Sequence, residues 1–214
     1  MRIVFVGAPT SGKSTLATQV FAALKQAGRS TELVPEWIRG EIAKNGPMTS
    51  IWEQYRTRLY QQEIEDAVPA DIKFIVCDSG TISPYFYACL YADPSDRRQR
   101  LVLQDMHRFL VNDLFLGRYD LIFLLPPIAN ASIADGVRFQ DQTQIRLIDD
   151  HMDVLFTKVF RLPQIHKVAS GPNSRLEEVM WKILGAAHPE LAASGLRHQV
   201  IPLINFLKST SQLG

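Results

Sequence analysis

The sequence predicts an α/β domain in which a mostly parallel sheet carries helices on both faces. Three observations lead there. Short, continuous apolar runs alternate along the chain with segments whose apolar residues recur at helical spacing. The runs show little polar alternation, as expected of strands buried on both faces. A glycine-rich loop stands between the first run and the first helical segment. At 214 residues the chain is long enough for one domain with a substantial core.

Ile3 to Val6 is the first strand, and Gly7 to Gly12 the loop that follows it. From Lys13 a helix carries Leu16, Val20, Phe21 and Leu24 on one side and ends at Gly28. Thr31 to Val34 reads as a second strand stopped by Pro35, and Trp37 to Ala43 as a short helix broken by Asn45-Gly46-Pro47. Ser50-Ile51-Trp52-Glu53 is a capping box. The helix it opens has Trp52, Tyr55, Leu59 and Ile64 as its apolar positions, and Pro69 closes the segment. Ile72 to Cys77 is the third strand.

Asp93-Pro94 is placed to cap a helix running through Val102, Met106, Phe109 and Leu110 to Gly117. Leu121 to Leu125 is the fourth strand, ended by Pro126-Pro127. After a polar loop, Ile145, Ile148, Met152, Leu155, Phe156 and Val159 mark a long helix. Ile165 to Val168 is the fifth strand, and a last helix spans about Arg175 to Leu184. Residues 1–185 thus read as one domain. Residues 186–214 form a C-terminal extension, whose apolar stretch from Val200 to Leu207 suits a helix packed on the domain or an oligomer contact.

Composition narrows the function classes. Apolar residues are 46% and charged residues 21%, which argues against disorder and coiled coil. A formal charge of +1 gives no bulk basic excess for nucleic acid, although local patches remain open. No apolar run approaches the roughly 20 residues of a membrane span. Cys77 and Cys89 make neither a zinc motif nor a disulfide framework, so a cytoplasmic location is expected.

Gly7-Ala8-Pro9-Thr10-Ser11-Gly12-Lys13-Ser14 fits G-x-x-x-x-G-K-[ST] at every fixed position, with Thr15 continuing into the helix. A buried strand before it and an amphipathic helix after it are the context this phosphate loop requires. Loop amides and the helix N-terminus bind phosphate oxygens. Gly12 permits close approach, Lys13 supplies charge to the β- and γ-phosphates, and the Ser14 hydroxyl suits Mg²⁺. ATP and Mg²⁺ are therefore the expected cofactors.

In open α/β sheets, function gathers at the carboxyl ends of the strands. Asp78 follows the third strand and Glu36 the second. Asp78 suits Mg²⁺ or a proton from an attacking hydroxyl; its alternative is a turn cap at Ser79-Gly80-Thr81. Glu36 suits substrate or proton; its alternative is a helix-dipole carboxylate. Arg39 shares a helix face with Glu36, to clamp a polar substrate or simply to pair with it. Trp37 and the group Tyr85, Phe86, Tyr87 and Tyr91 offer rings for a base or for the core. Arg138, in Asp135-Gly136-Val137-Arg138, and Arg146 beyond it are placed to fold over a transferring phosphate, or to pair on the surface. Ser170-Gly171 begins a turn after strand five, suited to backbone contact with adenine or to a plain connection.

These elements, taken in order, resemble the NadR-like family of P-loop ATPases and kinases, whose best-known members phosphorylate ribosylnicotinamide. The resemblance rests on Gly7 to Thr15, Pro35-Glu36-Trp37-Ile38-Arg39, Asp78, Tyr119-Asp120, Asp135-Gly136-Val137-Arg138, and Ser170-Gly171 followed by Arg175. It implies the nucleoside-kinase strand order 2-3-1-4-5, a lid around Arg138 and Arg146, and phosphoryl transfer to a hydroxyl.

The expected activity is a Mg²⁺-ATP-dependent kinase acting on a nucleoside-like acceptor such as ribosylnicotinamide. Two rivals stand beside it. One is a kinase of a hydroxymethyl pyrimidine in DNA, of the kind viruses use, with Arg97, Arg98, Arg100 and Arg108 on the phosphates. The other is a nucleotide switch with a protein or lipid partner.

Overall fold

In the computed structural model, which describes residues 1–128 and 141–188, five parallel strands make one sheet in the order β2-β3-β1-β4-β5. They are β1 (Arg2–Val6), β2 (Thr31–Val34), β3 (Phe74–Asp78), β4 (Leu121–Leu124) and β5 (Ile165–Lys167). The register sets Phe5 of β1 beside Asp78 on one side and Phe123 on the other. The phosphate loop therefore leaves the centre of the sheet, with the end of β3 next to it.

Alternate β1 residues feed opposite core layers. Ile3 and Phe5 pack with α1 (Lys13–Gln26) and α7 (Arg175–Ala187). Val4 and Val6 pack with α4 (Ser83–Tyr91), α5 (Arg97–Phe115), α6 (Gln142–Asp153) and the π-helix into which α6 continues (Val154–Phe160). Each such fully buried side chain contributes about 1.5–3 kcal/mol. Beyond the β2 edge, α2 (Trp37–Asn45) rests on α3 (Ile51–Asp66), and α3 packs on α4 and α5. No helix of the described residues is long and apolar enough to cross a membrane.

Helix α3 departs from the sequence reading in its face, not its existence. Ser50 and Glu53 form the expected capping box. Yet Trp52 is 48% and Leu59 43% exposed, while Gln54, Thr57, Arg58, Gln61 and Glu65 are buried. The inward stripe has helical spacing but is polar, and it is inward because partners await it. Arg58 donates to both Asp113 oxygens of α5 at 3.1 and 2.9 Å. The Tyr119 hydroxyl donates to Glu65, 3.0 Å from each carboxylate oxygen. Buried polar groups are tolerated when they are paired in this way.

Other differences are local. Ser83–Tyr91 is a helix, opened by Pro84 in its first turn, where the sequence suggested no element. Helix α5 is capped by Asp96, whose side chain accepts from Arg98 N–H; Asp93 instead accepts from Ser95 in the preceding turn. Val159, expected on the inner face, is exposed because the π-helical stretch changes the winding there. Helix α7 runs to Ala187. The extension expected beyond it lies, from residue 189, outside the described residues.

Candidate active site at the phosphate loop

The loop is built to receive an anion. Gly12 caps α1 with φ 85°, a left-handed conformation that glycine adopts without strain, and a Cβ there would lie 3.1 Å from Ile128. The first turn of α1 holds no acidic residue, so its free N–H groups and positive dipole end are uncompensated by the helix itself. Lys13 Nζ donates to the carbonyls of Gly7 and Ala8 at 2.9 and 3.1 Å, which keeps the ammonium across the loop. Thr10, also within the loop, has φ 66°.

Beside the loop opens a cleft of about 490 Å³. One wall is the phosphate loop and the start of α1, through Pro9, Thr10, Gly12, Lys13, Ser14 and Thr15. The facing wall comes from α2, α3 and α4. Glu36, Arg39, Gln54, Thr57, Gln61, Tyr87 and Tyr91 supply its polar and aromatic groups, and Ile38, Ile42, Met48 and Pro84 its apolar ones.

Glu36 ends the turn after β2 and stands at the N-cap of α2 in an extended conformation, without capping the helix through its side chain. The carboxylate is thus left to the cleft. Part of its surface meets the cleft, but protein surrounds the rest. Burial raises its pKa above the ordinary 4.5; the Lys13 charge opposes this and the Asp78 charge adds to it. Asp78, the last residue of β3, is buried. Its Oδ1 makes no hydrogen bond among the described residues. Ser79 follows with φ 66°, so the chain turns sharply away from the carboxylate.

The structure brings together most of the residues singled out from the sequence. Gly7, Ala8 and Ser11 lie buried behind the cleft wall as the loop's frame. Trp37, read as a substrate contact, does not line the cleft; its ring stacks on Tyr60 of α3 with centroids 4.6 Å apart. Ser170 and Gly171 do not line it either. The Ser170 N–H donates to Glu178 at 2.8 Å, and its carbonyl accepts from Arg175. Arg146 is exposed on α6, and Arg138 lies outside the described residues.

Sequence reasoning passed over Gln54, Thr57 and Gln61, because a polar helix face normally meets solvent. The spacing of these three was the available signal. It also gave Arg175 no role. That buried guanidinium donates to the carbonyls of Ser11 and Pro126, the latter at 2.9 Å, and so ties the phosphate loop to the end of β4. Gln54 is 1% exposed; its Nε2 donates to Met48 O at 2.9 Å, leaving Oε1 without a partner among the described residues.

A family model described as an AAA domain matches residues 2–161. Among solved structures, the fold is similar to that of NadR protein in complex with NAD and AMP-PNP, with a TM-score of 0.62 at 15% identity. The match covers 86% of this chain and 49% of that one. NadR in complex with NR gives 0.64 at 13% identity, covering 87% and 50%. Deoxyadenosine kinase from M. mycoides with bound dATP gives 0.55 at 15% identity, covering 86% and 98%. The chain thus spans about half the length of the NadR structures it matches. No curated protein matches the sequence. At these identities the likeness is one of fold, and the strand order implied by the family resemblance is the one observed.

Proposed function

The chain belongs to the AAA domain family whose model covers residues 2–161, and from that premise we propose that it is a Mg²⁺-ATP-dependent kinase. Its acceptor is a hydroxyl of a free nucleoside of the ribosylnicotinamide type. The observation that carries this reading is the shared cleft: the phosphate loop and the Glu36 carboxylate line one cavity, and the opposite wall offers a chamber of aromatic and amide side chains. A simple hydrolase has no need of a second, aromatic-lined compartment for an organic acceptor.

Loop amides and Lys13 hold the β- and γ-phosphates. The donor set suits Mg²⁺: the Ser14 hydroxyl sits on the first turn of α1, and Asp78 carries a carboxylate oxygen with no partner in the described protein. Among the described residues no three His, Cys, Asp or Glu side chains gather as a metal cage, and Mg²⁺ bound with a nucleotide needs only one or two protein oxygens. Bound there, the ion supplies charge to the phosphate oxygens.

Glu36 takes the proton of the acceptor hydroxyl as that oxygen bonds to the γ-phosphorus. The bond from the γ-phosphorus to the bridging oxygen breaks, and ADP departs. The raised pKa makes Glu36 a stronger base than a free carboxylate. Tyr87 and Tyr91 face the acceptor, and the Gln54 oxygen offers an acceptor for its N–H groups.

Transfer of labelled γ-phosphate to a panel tests it: ribosylnicotinamide, the four deoxynucleosides, and DNA carrying 5-hydroxymethyluracil. Stoichiometric labelling of a free nucleoside is expected. Labelling of the DNA alone would replace the acceptor, and hydrolysis with no labelled acceptor would replace the kinase by a nucleotide switch.

A further inference from the structure

The main chain on either side of Glu36 is held by Gln61, a side chain that also lines the cleft wall. Gln61 of α3 is 1% exposed. Its Oε1 accepts from Trp37 N–H at 2.9 Å, and its Nε2 donates to the Pro35 carbonyl at 3.3 Å. The two bonds fall on the residues either side of Glu36. The same amide nitrogen lies 3.4 Å from Glu65 Oε1.

Glu65 is fully buried and accepts from Arg118 Nε at 3.1 Å and from the Tyr119 hydroxyl. That hydroxyl in turn accepts from Thr81 N–H at 2.8 Å, in the loop that leaves β3 just after Asp78. The approach is tight: a Cβ on Gly80 would stand 2.7 Å from the Tyr119 oxygen. A chain of three side chains thus runs from the main chain around Glu36 to the main chain beyond Asp78.

We propose that Gln61, Glu65 and Tyr119 form a buried bracket fixing the Glu36 and Asp78 strand ends relative to each other, with Gln61 the positioning residue for Glu36. This rests on the reading of Glu36 as the proton acceptor. An apolar face on α3 would hold the helix to its neighbours as well, since buried polar clusters seldom add net stability. Directional bonds to two loop backbones do what apolar packing cannot: they define where a neighbouring carboxylate stands. A misplacement of about 1 Å at a reacting group can cost about a hundredfold in rate.

The test is a double-mutant cycle on whichever panel nucleoside the wild type phosphorylates. Gln61→Met keeps the length of the side chain and removes both bonds. It should lower kcat about 10- to 100-fold, with the KM for ATP within about threefold. In a Glu36→Gln background the same change should cost less than about threefold, because there is no base left to misplace.

Trp37→Pro cuts the same bond from the other end. It suits the first position of α2, after an extended residue, and should reproduce the pattern. It carries the test if Gln61→Met fails to fold. Near-normal kcat in the singly substituted enzyme, or an equal loss in both backgrounds, would overturn the bracket while sparing Glu36 as base. Full turnover in Glu36→Gln alone, or no transfer to any nucleoside, would overturn the reading of Glu36 and the bracket with it.

Discussion

Arg175 and Ser11 stand 164 positions apart in sequence, yet the guanidinium of one donates to the carbonyl of the other inside the phosphate loop. The same side chain reaches Pro126 O at 2.9 Å and Ser170 O at 3.4 Å. One buried cation therefore joins the loop after β1, the end of β4 and the turn after β5. Charge-assisted bonds to carbonyls contribute about 1.5–3 kcal/mol each, and their loss leaves buried acceptors unpaired. Arg175→Met is expected to destabilise the protein by about 2–4 kcal/mol and to raise the KM for ATP about tenfold. Arg175→Lys should recover only part of this, since an ammonium cannot span three carbonyls as a fork does. Thermal melts and ATP titration of the two variants check both statements.

In the proposed reaction Lys13 supplies charge at the phosphates and little packing. Lys13→Ala should leave the melting temperature within a few degrees and lower transfer at least about a hundredfold. Turnover close to wild type in a folded variant would remove the phosphate loop from the reaction.

The raised pKa of Glu36 has two consequences of opposite use. In its proposed role as base Glu36 must be ionised, so the acid limb of kcat should lie above 4.5 and vanish in Glu36→Gln. Asp78→Asn removes a like charge and should move that limb to lower pH if turnover survives. For stability, the folded protein holds the Glu36 proton more tightly than the unfolded chain does. The group's contribution is therefore favourable below the unfolded pKa and is lost as pH rises through the folded one. Glu36→Gln should thus be more stable than wild type at neutral pH, with the difference closing toward pH 4. Paired melts across pH 4–8 measure it; a stability gap independent of pH would contradict the assigned cause.

Arg97, Arg98 and Arg100 bear on the acceptor. All three are exposed at the start of α5 and none lines the cleft. Arg100 donates to Pro94 O and Ser95 O, closing the turn before its own helix. Replacing the three with Gln should leave the KM for a free nucleoside within about twofold, because screened charges contribute little at a distance. A steep salt dependence that the triple substitution flattens would point instead to a DNA strand on this face.

Sequence patterns reveal elements better than they reveal facing. The capping box located α3, but its apolar positions misjudged the buried face: Trp52 and Leu59 look outward, while Gln54, Gln61 and Glu65 look inward. No period in the sequence could show that Tyr119 and Arg118 would meet Glu65, or that Asp113 would meet Arg58 on the same buried stripe. Trp37 fails as a cleft residue for a related reason: Gln61 holds its N–H, and Tyr60 is where its ring packs.

The strand pattern, the phosphate loop and the acidic ends of β2 and β3 were all legible by themselves. Each depends on neighbours within a few residues: apolar runs, a glycine spacing, a proline stop. The strand order followed from the family resemblance. Tertiary structure alone decided which carboxylate opens into the cleft, which polar stripe backs it, and which distant arginine steadies the loop. These are contacts between residues tens to more than a hundred positions apart. Their energies exist only once the chain has closed, in a low-dielectric interior where an unpaired polar group is costly and a paired one is fixed in place.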